Sequence, residues 1–210
     1  MKNYQEFLKE TIQNNERTIL SEDPLVYVVE NFATDKECDE IVFLATGKLE
    51  KAKVVDEIGN PIIHSARTGS NVFIGHSETL YVKNLSERIS RLVGIPLKNA
   101  EKMQVVHYGI SETYNYHNDG FRDGSKALEN GGQRIMTALL YLNNVEEGGS
   151  TSFKNLKIDV QPQKGKLLVF ETVNRGSNKI HEGALHAGMP VTKGEKYACN
   201  FWFREKERIN

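Results

Sequence analysis

The stretch MQVVHYGISETYNYHNDGF, Met103 to Phe121, decides how the rest of the chain is read, because it ends in His117-Asn118-Asp119 within an extended, aromatic-rich run. In a strand, residues two apart point to one face, so His117 and Asp119 are placed to share a metal ion about 2 Å from each donor atom. Alone the pair is weak evidence. If the third ligand is a histidine, the set is two imidazoles and one carboxylate, the arrangement of non-haem Fe(II) oxygenases, which leaves coordination positions open.

Working outward toward the C-terminus, the chain reads as strands separated by loops. Arg134 to Leu142, RIMTALLYL, is apolar on both faces, as a strand between two layers must be. Further strands are expected at Ser150–Phe153, Leu156–Val160 and Lys166–Phe170. A loop over Asn174–Gly183 leads into Leu185-His186-Ala187-Gly188, read as a small-residue turn that lets a metal approach His186 closely. The last strand, Lys196 to Phe203, alternates: Tyr197, Cys199, Phe201 and Phe203 on one face, Lys196, Ala198, Asn200 and Trp202 on the other. Lys196 either begins this strand at the surface or supplies a cation to an anionic cosubstrate in a cleft. Loops 122–133 and 172–183 are rich in Gly, Asn and charge, and are expected to be mobile without substrate.

Toward the N-terminus the pattern turns helical. Residues 1 to about 20 read as a polar helix carrying Tyr4, Phe7, Leu8, Ile12 and Ile19. Leu25–Val29 is a β-branched strand. Thr34 caps a helix with Glu37 three residues on, a capping-box pattern, and Cys38, Ile41, Val42 and Leu44 follow at helical spacing. A turn falls at Gly59-Asn60-Pro61, and Arg67 to Ile74 ends as a strand, with Arg67 either an exposed charge or part of a polar groove. A second helix, from Leu80 to Leu92, stops at Gly94 and Pro96. Helices first and at least seven strands after imply an α+β protein: a double-stranded β-helix (jelly-roll) core buttressed by N-terminal helices. The 210 residues suit a single catalytic domain, with 1–100 as the helix-and-strand support and 101–210 as the core carrying the metal site.

Lys+Arg 27 against Asp+Glu 28 leaves a net charge of -1, which argues against a broad nucleic-acid or membrane-surface footprint. Two cysteines, Cys38 and Cys199, are too few for a disulfide framework and point to a reduced compartment. The polar N-terminus reads without a signal peptide, and with the cysteines predicts a cytoplasmic protein. Oligomeric state has no signal in the sequence.

Taken together, residues 107–121 (HYGISETYNYHNDGF), 146–153 (EEGGSTSF) and 185–202 (LHAGMPVTKGEKYACNFW) resemble the catalytic core of the prolyl 4-hydroxylases, within the Fe(II)/2-oxoglutarate-dependent dioxygenases. Residues 24–41 and 67–74 also look like that family's N-terminal strand-helix unit and pre-core segment. The resemblance implies a metal triad of His117, Asp119 and His186. It matches Lys196, ten positions after His186, to the lysine that pairs with the distal carboxylate of 2-oxoglutarate. Tyr108 and Thr151 match residues that hydrogen-bond this cosubstrate, and Arg67, Glu101, Tyr114, Arg134 and Trp202 match residues lining a peptide groove. Fe(II), 2-oxoglutarate and O2 are implied, with ascorbate as reductant and a proline-containing peptide or protein as substrate.

The chain departs from the family pattern at four places. Tyr197 stands for Trp, Ser150 for Glu, Gly69 for a frequent Ser, and Arg204 follows Trp202-Phe203 where His is often found. No metal or cosubstrate group is lost, so the departures bear on which substrate is used. Two alternatives remain at this level: a 2-oxoglutarate oxygenase acting on another residue or a small molecule, and a non-catalytic, metal-binding cupin-like module.

Overall fold

The computed structural model describes residues 16–52, 54–55, 61–62 and 66–208. Tyr4, Phe7, Leu8, Ile12, His64 and the apex of the Gly59-Asn60-Pro61 turn lie outside them.

An eight-stranded antiparallel sheet forms the larger layer, in the order Arg17–Glu22, Leu25–Val29, Leu167–Glu171, Arg134–Tyr141, Lys196–Arg204, Met103–Tyr108, Ser70–Ile74, Glu50–Lys51. A four-stranded sheet faces it, ordered Ile158–Val160, Thr151–Phe153, His186–Gly188, Tyr114–His117. Two sheets with these crossing connections make a strand-rich, jelly-roll-like sandwich.

The apolar run from Arg134 to Leu142 shows why the layers stack as they do. Its alternation sends Ala138, Leu140 and Leu142 into one core cluster and Leu139 and Tyr141 into another. The first cluster includes Cys38, Ile41, Val82, Leu85 and Ile89, from helices Asp35–Ala45 and Leu80–Val93, with Phe201 and Phe203 from the last strand. The second lies against the small sheet and holds Val26, Phe153, Phe170, Val191 and Ala198. Each buried Leu or Phe contributes ~1.5–3 kcal/mol, so a strand apolar on both faces is the natural centre of the fold.

Both helix starts follow from local chemistry. Thr34 accepts from the Glu37 amide while the Glu37 carboxylate accepts from the Thr34 amide, closing the capping box. Thr79 caps the second helix, and Gly94 ends it in the left-handed conformation at φ 73°. Glu37 also joins the two helices, because Arg88 on the second reaches it at 2.5 and 3.2 Å and donates to the Phe32 carbonyl at 2.7 Å. Both side chains are fully buried, so losing one partner strands the other's charge in the core. Arg88→Ala is expected to cost ~3–5 kcal/mol, read as a drop in the urea midpoint; an unchanged midpoint would show that the pair contributes nothing to stability.

The expected N-terminal helix ends too far along the chain. Arg17–Glu22 is a strand, paired antiparallel with Leu25–Val29 through the turn at Asp23-Pro24. Ile19 is 48% exposed and serves no helical stripe. Over Arg17–Glu22, pairing with a β-branched strand one turn away decided the conformation. Among the described residues, no helix is long and apolar enough to cross a membrane.

Candidate active site

Antiparallel pairing of two neighbouring strands of the small sheet sets His186 directly opposite His117. Their ring centroids lie 4.3 Å apart. His186 therefore stands in a strand, His186–Gly188, and not in a turn as its small neighbours suggested: Ala187 and Gly188 are held between Thr151–Phe153 and Tyr114–His117. Asp119 joins them from a bend just past the end of the His117 strand, so convergence comes from the strand's termination and not from its pleat.

The candidate ligand atoms of His117, Asp119 and His186 all lie within 4.8 Å of one another. His117 Nε2 is 3.7 Å from Asp119 Oδ1, and His186 Nε2 is 3.8 Å from Asp119 Oδ2. These separations are too long for hydrogen bonds, so the three donors converge without satisfying each other. Each ring is oriented from behind: Nδ1 of His117 meets the Asn115 carbonyl at 2.8 Å, and Nδ1 of His186 meets the Ala184 carbonyl at 2.9 Å. Donation through Nδ1 leaves Nε2 unprotonated and turned inward, as a metal requires. Burial, with His186 beside it, pushes the His117 pKa well down and keeps it neutral. Burial alone would raise Asp119, but His186, His117, Arg134 and the hydrogen bond from Thr137 at 2.7 Å bring its carboxyl below the ordinary range. Two inward-facing imidazole nitrogens and an ionised carboxylate on one side of a cavity fit Fe(II).

Behind the triad lies Lys196, 3% exposed, its Nζ donating to the Gly149 carbonyl at 2.6 Å and lying 5.9 and 5.4 Å from the Tyr108 and Tyr141 rings. Burial drops its pKa to about 7. The alternative of a surface lysine is excluded. Tyr108 pairs opposite Lys196 across neighbouring strands, and Thr151, Tyr108, Lys196 and His186 line one small cavity together with Leu139 and Asn200. Gly69 is needed here, since a Cβ at that position would lie 2.6 Å from the Tyr108 ring.

On the open side of the triad is a groove of about 510 Å³ lined by Arg67, Tyr114, Arg134 and Trp202, with Gln104 and Phe121. Arg67 is buried, its guanidinium 4.7 Å over the Tyr114 ring, so the exposed-charge alternative also fails. Tyr114 in turn stacks on His117 at 3.6 Å. Arg134 lies 3.7 Å over Trp202 and donates to the Asp119 carbonyl at 3.3 Å.

Glu101 does not line this groove. Its carboxylate is held bidentately by Arg134 at 2.7 and 2.8 Å and shared with Arg204 at 3.1 Å. Burial alone would raise Glu101, but the two arginines bring it below its ordinary value. It acts through Arg134, from behind the groove wall. Arg204 extends the same network to loop 122–133, donating to the carbonyls of Ala127 and Asn130 and lying 4.5 Å over the Phe121 ring.

Sequence reasoning missed Thr137 and Tyr141, whose hydroxyls reach Asp119 and, at 2.8 Å, Thr151. Their signal was present: they are the polar-tipped members of one face of an otherwise apolar strand. Gln104 shares the strand face of Tyr108 and binds Arg67 at 2.9 Å.

A jelly-roll-like sandwich carrying this triad and a buried lysine defines a metal- and 2-oxo-acid-dependent oxygenase. The 2OG-Fe(II) oxygenase superfamily matches residues 103–204, a span holding the triad, Tyr108, Thr151 and Lys196. A putative prolyl 4-hydroxylase of Acanthamoeba polyphaga mimivirus is 40% identical over 185 residues, covering 86% of this chain and 74% of that protein. Probable prolyl 4-hydroxylase 7 of Arabidopsis thaliana is 36% identical over 208 residues, covering 90% of this chain and 65% of that protein. The viral collagen prolyl hydroxylase of Paramecium Bursaria Chlorella virus-1, solved with 2OG, superposes with a TM-score of 0.69 at 28% identity over 85% of this chain and 95% of that one. This chain belongs to the prolyl 4-hydroxylase family of Fe(II)- and 2-oxoglutarate-dependent dioxygenases.

Proposed function

We propose that this protein 4-hydroxylates prolyl residues within a peptide or protein. The observation that carries the reading is that the triad lies between an open groove of about 510 Å³ and a cavity holding a buried lysine with no carboxylate partner among the described residues. His117, Asp119 and His186 would hold Fe(II), and Lys196, with Tyr108 and Thr151, would hold 2-oxoglutarate. When bound, these groups supply the oxidising chemistry: 2-oxoglutarate is decarboxylated to succinate and one atom of O2 enters a C–H bond.

The chain's own residues aim the target and exclude water. Tyr114 and Trp202 offer aromatic faces to a prolyl ring, and Trp202 is held flat by Arg134, itself fixed by Glu101. Arg134 also ties the Asp119 main chain to the groove wall, so substrate contact and metal ligation share one support. Proline-rich peptides are already extended, which lowers the ordering cost of entering such a groove. Cys38 and Cys199 are buried free thiols, in keeping with a reduced, cytoplasmic setting, where ascorbate would serve as reductant.

The test is succinate release with Fe(II), ascorbate and a panel of collagen-like and other Pro-containing peptides, followed by mass spectrometry. One added oxygen on a prolyl residue is expected. Turnover of free amino acids or small molecules, with none on any Pro-containing peptide, would replace this reading by the small-molecule one.

A further inference from the structure

Four arginines are buried or nearly so at the core and site, and three have carboxylate partners: Arg88 with Glu37, Arg134 and Arg204 with Glu101. Arg67 differs. It is 7% exposed and its Nη2 donates to the neutral Gln104 amide oxygen, while its Nε, like those of Arg88 and Arg204, is buried with no hydrogen-bond partner. No carboxylate among the described residues pairs with it. The Tyr108 hydroxyl and the Tyr114 ring beside it are neutral.

Its position makes the missing anion informative. Arg67 lines both the groove and the cavity behind the triad. Two other cations of the groove wall are already matched: Lys51 is paired with Glu112 at 2.9 Å, and Arg134 with Glu101. Asp119 would be opposed by the metal, and the outer carboxylate of 2-oxoglutarate by Lys196. Formal charges of Fe(II), Asp119, the 2-oxoglutarate dianion and Lys196 sum to zero, which leaves Arg67 with no carboxylate of its own, whereas Arg134 and Arg204 share that of Glu101. A second orphan donor, the buried Trp202 Nε1, belongs to a residue of the same groove.

We propose that the groove recognises a carboxylate on the substrate peptide, and that Arg67 is the specificity-determining residue that binds it. This deepens the prolyl-hydroxylase reading and rests on it. A peptide carbonyl beside the guanidinium would leave a desolvated charge uncompensated, whereas a carboxylate compensates it and matches the guanidinium fork. The carboxylate comes from an Asp or Glu side chain near the target residue or from the peptide's C-terminus.

The test is fluorescence anisotropy with the anaerobic Fe(II)- and 2-oxoglutarate-loaded protein and four labelled peptides. Each carries one prolyl residue, with either Glu or Gln beside it, and each has a free or an amidated C-terminus. Glu peptides are expected to bind about tenfold more tightly than their Gln counterparts. A gain that follows the free C-terminus instead assigns the terminal carboxylate as the source. In Arg67→Gln the preference disappears, while Arg67→Lys keeps part of it. Equal binding of all four peptides to the unmodified protein overturns the proposal, whether or not the variants fold. If neutral and acidic peptides bind equally and are hydroxylated once O2 is admitted, only the carboxylate claim falls. If acidic peptides bind tightly and none is hydroxylated after O2 is admitted, the anion site stands and prolyl hydroxylation falls.

Discussion

His186→Ala is expected to lower peptide-dependent succinate release by at least ~10³-fold, equivalent to ~4 kcal/mol, and to abolish iron retention on desalting. The ring is one of three inward-facing donors, and its Nδ1 bond to Ala184 aims it. His117 and Asp119 remain in place without it, but two ligands cannot hold the ion against water. Asp119→Ala and His117→Ala are expected to behave alike. The backbone pairing of His186–Gly188 does not use the imidazole, so the variant should still fold, although His186 packs 4.8 Å from the Phe170 ring and some loss of stability follows. Thr137→Val, which removes only the hydrogen bond to Asp119, is the graded control, with an expected loss of ~10–100-fold. Full activity in any triad variant would sink the assignment of the metal site.

Lys196→Met is expected to raise the KM for 2-oxoglutarate by ~10–100-fold with a smaller change in kcat, because it removes a charge-assisted bond to the cosubstrate's far end while keeping the side chain's bulk. The same lysine sets a pH dependence. Burial brings its folded-state pKa to about 7, against ~10.4 in an unfolded chain. Below pH 7 both states carry the proton, and the folded state bears the full cost of the buried charge. Between about 7 and ~10 the unfolded chain binds more protons, so stability of the cosubstrate-free protein rises with pH. Binding runs the other way: 2-oxoglutarate needs the ammonium, so its affinity weakens as pH rises through 7. Titrations of 2-oxoglutarate from about pH 6 to about pH 9 should show that slope in the unmodified protein and lose it in Lys196→Met. A flat profile in both would mean that Lys196 does not meet the cosubstrate.

Much of the site could be read along the chain because its signals are local or ordered. The His-x-Asp pair, the histidine of Leu185–Gly188 and the lysine ten positions later occur in one sequence order, and period-two alternation correctly put Lys196, Asn200 and Trp202 on one face of the last strand. Helix starts were legible for the same reason, since a cap and its partner are three residues apart. What escaped were pairings across long stretches of chain. The Arg17–Glu22 strand exists because Leu25–Val29 lies beside it, and Glu101 left the groove wall because Arg134 and Arg204, 33 and 103 residues away, enclose it.

The sequence by itself, through its resemblance to the prolyl 4-hydroxylases, named the three side chains of the metal site and the lysine behind them, and its apolar pattern marked the strand buried on both faces. Motifs in order carry residue identity, whereas the convergence of His117 and His186 needed the pairing of their two strands. Only the tertiary structure decided which charges find partners. Arg134 and Arg67 look alike along the chain, yet Glu101 pairs with the first, and no carboxylate in the described fold pairs with the second. A residue's desolvation and its compensation depend on what distant segments bring beside it.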